Sequence, residues 1–183
     1  LFNNDQIIES ALLSLKIAAT SATFATILGT MAGLALTQMG RYRGRFIFTG
    51  LIAAPLVMPE VITGLSLLLM FVSLQELIGW PMSRGAGTIT IAHITFSMAY
   101  VAVIVQSRLS SMDQSLQEAA MDLGGRPMQV AFDITLPLIA PSMLSGWLLA
   151  FTLSLDDLVI ASFTSGAGAS TLPMVIFSKI KLG

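Results

Sequence analysis

The stretch that decides the class of this protein is residues 118–137, EAAMDLGGRPMQVAFDITLP, a polar segment in an otherwise apolar chain. It contains three acids, one arginine and two prolines, a composition that is too costly to place in lipid. A water-facing segment of this length between apolar segments is uncommon unless it has a function. We therefore interpret it as a docking element within a membrane protein.

The composition of the whole chain supports the same class. Hydrophobic residues make up 55% and charged residues 10% of the 183 residues, and the mean hydropathy is +0.84. Soluble domains carry about 25% charged residues, so this chain is suited to a bilayer. A net charge of -1 argues against nucleic-acid binding. The absence of cysteine excludes disulfides and thiolate metal sites, and the absence of a Walker sequence predicts no catalytic residues for ATP hydrolysis.

Four stretches are long and apolar enough to cross a membrane as helices, for which about 20 residues are needed. They are residues 8–39, 46–74, 86–107 and 138–163. A further segment, 173–181, is too short to span and is interpreted as an amphipathic, re-entrant or buried terminal helix. The sequence thus predicts an all-α, polytopic membrane protein with at least four spans.

Arginines orient these spans, because positive charges concentrate in cytoplasmic loops. Arg41, Arg43 and Arg45 lie between the first two spans and predict that this turn is cytoplasmic. Alternation then places the 108–137 loop inside and both chain ends outside. Because the chain begins at Leu1 without an initiator Met, we expect a fragment that lacks a span at each end.

Turn and cap residues predict two short helices within the polar segment. Ser115 and Glu118 have capping-box spacing, and Asp113 is an alternative N-cap. Gly124 can end the first helix, and Pro127 can begin a second one along the membrane surface.

The first of these helices presents a small-residue face at Ala119 and Ala120, which can enter a partner's groove. Glu118 and Asp122 lie one turn apart and offer carboxylates to a partner's arginine. An interfacial helical hairpin without a partner is the alternative.

Three acids lie well inside the predicted spans, where a carboxylate costs about 2.5–3.5 kcal/mol. They are Glu60, Asp156 and Asp157. Pro55 and Pro59 lack N–H groups, so the second span should be kinked and leave carbonyls unpaired near Glu60. Carboxylates with free carbonyls suit an ammonium, so these acids are candidates for a cation pathway. Asp156 and Asp157 are about 100° apart on a helix, so one of them could instead cap the span or pair with another subunit.

Two other features have structural interpretations. His93 has no metal-ligand cluster around it in the sequence and is predicted to be a satisfied buried histidine. Gly29 and Gly33 have the small-xxx-small spacing of closely packed membrane helices, although such residues are also common in membrane helices generally.

The polar segment resembles the EAA loop of binding-protein-dependent ABC importer permeases. Glu118-Ala119-Ala120, Gly124 and Ile134-x-Leu136-Pro137 match the motif at its spacing. Outside the loop, residues 54–64 (APLVMPEVITG) and 147–157 (WLLAFTLSLDD) resemble the putrescine/spermidine transporter permeases.

This resemblance implies a type I ABC importer fold in a bacterial inner membrane, with residues 1–183 as one transmembrane domain. Glu118, Ala119, Ala120 and Gly124 would form the coupling helix, with Asp122 beside them. The implied partners are cytoplasmic ATPase subunits that hold ATP and Mg, a second permease subunit in a heterodimer, and a periplasmic polyamine-binding protein. Family members usually have about six spans. The alternatives are a permease for another solute, a stand-alone channel or secondary transporter using the intramembrane acids, and a structural scaffold.

Overall fold

The computed structural model describes residues 5–38, 43–113 and 115–182, and all regular structure within these ranges is helical. The long helices are α1 (Asp5–Gln38), α3 (Glu60–Ile78), α4 (Ala86–Ser110) and α7 (Leu136–Asp156). The shorter ones are α2 (Arg45–Val57), α5 (Ser115–Asp122), α6 (Pro127–Val130), α8 (Val159–Thr164) and α9 (Leu172–Leu182). A π-helical turn, Ala131–Thr135, joins α6 to α7.

The centre of the fold is the packing of α1 against α4, with α7 on both. Ala22, Ala25 and Val101 are fully buried there. Gly29 is so close to α4 that an added Cβ atom would lie 2.7 Å from the Cβ of Val101. Gly33 is similarly close to Val105, so the close-packing interpretation describes these glycines, rather than their mere abundance in membrane helices. Small side chains let the two backbones approach, and dispersion contacts between the helices stabilise them.

The second predicted span is broken rather than kinked. α2 ends at Val57, Met58 and Pro59 are extended with ψ angles of 137° and 138°, and α3 begins at Glu60. Pro59 disfavours helical backbone at Met58 and has no N–H of its own, so the break falls where both effects coincide. The prediction of one continuous span over 46–74 is therefore wrong.

The fourth predicted span is also interrupted. α7 ends at Asp156, Asp157 is extended with ψ 124°, and the six-residue α8 follows. At its other end α7 begins earlier than predicted, because α6 and the π-helical turn continue into it. Pro127 does begin a helix, but the prediction of a separate second surface helix is wrong.

Four helical runs have the length and hydropathy of membrane spans in the described part of the chain. They are Asp5–Gln38, Glu60–Ile78, Ala86–Ser110 and Pro127–Asp156. The C-terminal segment forms α9, which packs against α1, and the backbone N–H of Leu172 donates to Ser14 Oγ at 2.7 Å. Arg41, one of the arginines used to orient the spans, lies outside the described residues.

We predict that Gly29→Ala destabilises the fold by about 1–3 kcal/mol, because the methyl group overpacks the α1–α4 contact. The matched control is Gly50→Ala in α2, where an added Cβ meets nothing within 4 Å. This control should be neutral or more stable by up to about 1 kcal/mol. The thermal unfolding midpoints of the purified variants in detergent measure both effects, and equal midpoints would contradict the close contact.

Candidate functional site

The two helix breaks lie side by side because α3 packs against α8. Gly64 permits this approach: an added Cβ atom there would lie 2.7 Å from Cδ2 of Phe163 and 3.4 Å from Cα of Ile160. The N-terminus of α3 and the α7–α8 junction are thereby brought to the same region of the molecule.

A cavity of about 240 Å³ opens between the breaks. Its lining residues come from α3, α4, α7, the α7–α8 junction and α8, and they are Glu60, Phe96, Leu153, Asp156, Asp157, Leu158 and Val159. The structure therefore brings together all three acids that the sequence singled out, although they are up to 97 positions apart (157 minus 60). The lining contains three carboxylates and no lysine or arginine.

Two of the three acids have free carboxylates. Glu60 and Asp156 are exposed in this chain, and no described residue donates a hydrogen bond to either side chain. Their oxygen atoms are available to a ligand in the cavity. No group of three His, Asp or Glu side chains that could hold a metal ion occurs within the described ranges.

Asp157 is held differently from the other two acids. Its side chain is 7% exposed, and its carboxylate accepts hydrogen bonds from the backbone N–H groups of Ile160 at 3.2 Å and Ala161 at 2.7 Å. It thus satisfies donors of the first turn of α8, which no earlier carbonyl can reach. Asp157 therefore caps a helix, as one alternative proposed for the paired aspartates, but it caps the start of α8 at the break, whereas the alternative placed the cap at the outer interface of the span.

The third hydrogen-bond partner of Asp157 is His93, whose Nε2 lies 3.1 Å from Oδ2 of Asp157. His93 is 2% exposed, and its Nδ1 lies 2.6 Å from Oγ of Ser154. The prediction of a satisfied buried histidine is confirmed. Its partnership with Asp157 was missed because the two residues are 64 positions apart and on different helices. The signal available in the sequence was that each is a polar residue within an apolar span, where its side chain needs a hydrogen-bond partner.

The second predicted site, α5, is an exposed helix. Glu118, Ala119, Asp122 and Gly124 are exposed and Ala120 is partly exposed. Gly124 has a φ of 90°, and the N–H groups of Gly124 and Gly125 donate to the carbonyls of Met121 and Ala120. This pair of bonds is a Schellman motif, which ends α5 where the sequence predicted.

The start of α5 is fixed by Asp113, the alternative cap, whose Oδ1 accepts the backbone N–H of Ser115 at 3.0 Å. The hydrogen bond from this N–H, and to a smaller extent the one from the Ser115 hydroxyl, holds the pKa of the Asp113 carboxyl below its usual value. The cap is therefore present above the ordinary Asp pKa of about 3.9 and is lost only as the pH falls through the lowered value.

A side-chain link connects α5 to the π-helical turn. Gln117 Nε2 donates to Oγ1 of Thr135 at 3.0 Å, and Thr135 in turn donates to the carbonyl of Val130 at 3.4 Å. Thr135 is 1% exposed, so this bond joins the exposed helix to a buried point at the base of α7. Sequence reasoning did not find this link, since Gln117 and Thr135 carry no motif that pairs them.

Comparison with known proteins gives consistent matches. Residues 25–181 match the family model described as "Binding-protein-dependent transport system inner membrane component". The chain is 60% identical over 183 residues to the putrescine transport system permease protein PotI of Escherichia coli K12. The match covers the whole of this chain and 65% of PotI, so the chain spans less than two thirds of that relative. It is also 41% identical to the spermidine/putrescine transport system permease protein PotC of Haemophilus influenzae, with 100% of this chain and 68% of PotC covered.

Solved structures show the same fold at low sequence identity. The inward-facing MetNI methionine ABC transporter matches with a TM-score of 0.78 at 16% identity, covering 97% of this chain and 81% of that chain. An amino acid ABC transporter solved with histidines matches with a TM-score of 0.66 at 18% identity, covering 97% and 79%. The predicted all-α ABC importer transmembrane fold is confirmed. The chain therefore belongs to the family of inner membrane components of binding-protein-dependent transport systems.

Proposed function

We propose that this chain is a membrane-spanning permease subunit of an ATP-driven, binding-protein-dependent importer for putrescine or another polyamine. The observation that carries the proposal is the three-carboxylate cavity at two helix breaks, in a chain 60% identical to a putrescine permease. The subunit itself is non-catalytic: it provides the pathway, and ATPase subunits hydrolyse ATP.

The charge of the cavity favours a cationic solute. Glu60 and Asp156 offer free carboxylate oxygens, and the nearby Asp157 adds a third negative charge. An ammonium group has three N–H donors and loses its water most easily where acceptor oxygens replace it. Two free carboxylates at one cavity match a molecule with two ammonium groups better than a monovalent cation.

The rest of the lining suits an aliphatic chain between those charges. Leu153, Leu158 and Val159 provide an apolar wall for methylene groups. Phe96 provides an aromatic ring that can also attract an ammonium through its face. The volume of about 240 Å³ is below the range of about 300–1,000 Å³ that is usual for ligand sites, which fits a slender diamine better than a bulky solute.

The helix breaks give this region the features of a transport site. Broken helices near a solute site expose backbone carbonyls and N–H groups that continuous helices would pair internally. Pro55 and Pro59 cannot donate to the carbonyls four residues before them, so these α2 carbonyls lack their helical donors, although no α2 residue lines the cavity itself. The region can therefore replace part of the hydration shell of a cation.

The exposed α5 is proposed as the ATPase-coupling helix. Glu118, Ala119, Ala120, Asp122 and Gly124 form its accessible surface, and the Gln117–Thr135 bond ties it to α7. Partner motion at α5 would then reach the cavity through α7, which ends at Asp156. This is an alternating-access scheme in which ATP binding and solute delivery favour the same state.

The proposed assembly contains this chain, a second and different permease subunit, cytoplasmic ATPase subunits and a periplasmic polyamine-binding protein. ATP and Mg would be held by the ATPases. The bacterial inner membrane surrounds the spans, and a role in nucleic-acid binding is not proposed.

We predict that Glu60→Gln and Asp156→Asn each raise the KM for putrescine by about ten-fold, because each removes one charge worth about 1.4 kcal/mol from the cavity. Uptake of radiolabelled putrescine by vesicles containing the complete transporter measures this, with spermidine as a second solute to rank the cargo.

The matched control is Glu76→Gln in α3, which removes one exposed carboxylate away from the cavity. It should leave the KM unchanged. If all three variants behave alike, the cavity is not the solute site. ATP-independent uptake would instead favour a channel or secondary transporter.

We predict that Glu118→Ala reduces retention of the ATPase subunits by about ten-fold, because a carboxylate paired across an interface is worth roughly 1.5 kcal/mol or more. Co-purification of the ATPase with the tagged permease, followed by solute-stimulated ATP hydrolysis, measures the loss.

Glu76→Ala is the control here, since Glu76 is an exposed glutamate on a different helix. Equal ATPase retention in both variants and in the wild type would contradict the assignment of α5 to the ATPase interface.

A further inference from the structure

His93 lies at the junction of four helices and is the centre of a buried chain of polar groups. The chain runs from Oγ of Ser21 on α1 to Oγ of Ser154 on α7 at 3.0 Å, and from Ser154 to Nδ1 of His93 on α4 at 2.6 Å. It ends with Nε2 of His93 at 3.1 Å from Oδ2 of Asp157, at the α7–α8 break. Ser21, Ser154 and His93 are each at most 6% exposed, so solute in the cavity does not contact the serines or the ring.

For a neutral His93 ring, the partners in this chain of polar groups determine where each proton lies. Asp157 accepts backbone N–H groups at both carboxylate oxygens, which is the pattern of an ionised carboxylate. Nε2 of His93 must then donate to Oδ2. In a neutral ring Nδ1 is an acceptor, so it takes the hydroxyl proton of Ser154, and Ser154 accepts the hydroxyl proton of Ser21. The three contacts from Ser21 to Asp157 then use one proton each. The carbonyl of Ala18, 3.2 Å from Oγ of Ser21, is a second acceptor for the Ser21 proton.

A neutral donor beside Asp157 has a specific electrostatic consequence. A lysine or arginine in this place would fix the carboxylate but cancel its charge. A neutral imidazole fixes the carboxylate by a hydrogen bond and leaves its full negative charge in the cavity wall. Since Asp157 already accepts three hydrogen bonds, it acts on a cation mainly through that charge, whereas Glu60 and Asp156 have free oxygens.

We propose that His93 is a positioning residue for the cationic solute: through Nε2–H it holds the ionised Asp157 in the cavity wall without neutralising it. This inference rests on the proposed function. Ser154 selects the required tautomer, and Ser21 connects the arrangement to α1. The same bonds anchor the α7–α8 break to the α1–α4 packing.

Two substitutions of His93 separate positioning from packing. His93→Gln places an amide nitrogen close to the position of Nε2 and keeps a donor for Asp157. His93→Asn has a shorter side chain, whose nitrogen corresponds to Nδ1, and cannot reach Asp157. In vesicles with the complete transporter, we expect the KM for putrescine to stay within about two-fold for Gln. For Asn we expect it to rise about ten-fold, equivalent to about 1.4 kcal/mol, with a smaller change in Vmax.

Ser97→Ala is the matched control, because Ser97 lies one turn from His93 on α4 and is fully buried with no hydrogen-bond partner in the described structure. It should leave the KM unchanged. A KM that rises equally in all three variants, or that changes in none, overturns the proposal. If His93→Asn fails to assemble, Ser154→Ala replaces it and should raise the KM by removing the donor that selects the tautomer.

A spectroscopic readout is independent of the cargo. The ¹⁵N-histidine spectrum of the full transporter, compared with that of the His93→Gln variant, isolates the signals of the His93 ring. The Nε2–H tautomer of a neutral ring supports the proposal, whereas an Nδ1–H tautomer or a doubly protonated ring overturns it. A wild-type transporter that shows Nε2–H yet imports no putrescine contradicts the proposed function, while the positioning of Asp157 is supported by the spectrum.

Discussion

The structure depends on one constraint: backbone N–H and C=O groups in an apolar environment must be paired within the protein. Continuous helices meet this constraint by themselves, and α1 and α4 do so over 34 and 25 residues. The two broken runs need other partners for the groups that a break exposes. At α8 the carboxylate of Asp157 accepts two of the free N–H groups. A polar site in the spans is therefore a direct result of breaking the helices there.

The continuous and broken helices have different functions in this arrangement. α1 and α4 approach closely through Gly29 and Gly33 and form a stable support. α3 and α8 pack on this support and bring the breaks together. His93 belongs to the support but bonds to a break, so it connects the two parts. This explains why a histidine fits here better than an apolar residue, despite the cost of burying a polar side chain, since both of its ring nitrogens have partners.

Local properties of the fold were predictable from sequence, whereas its long-range pairings were not. Hydropathy gave the number of spans, although two of the predicted ranges contain helix breaks. Gly124 marked the end of α5 because a residue at positive φ is needed there. The cost of placing a carboxylate inside a span identified Glu60, Asp156 and Asp157 as candidate site residues, and the structure places them around one cavity. The α2–α3 break was predicted only as a kink because proline predicts lost hydrogen bonds but not how far the chain turns afterwards. The α7–α8 break was missed because no proline or glycine marks it. The His93–Asp157 and Gln117–Thr135 bonds depend on how separate helices pack, which one sequence does not specify.

The uninterrupted run from Pro127 to Asp156 has a geometric consequence. Its 30 residues, at 1.5 Å per residue, form a rod of about 45 Å whose two ends lie at the exposed helix and at the cavity. A tilt of only about 5° about one end moves the other by about 4 Å, as the arc of a lever of that length. The rod thus amplifies small angular displacements into shifts comparable to the width of an ammonium group. Bending stiffness along the π-helical turn and Pro141 then sets how much of each displacement is transmitted.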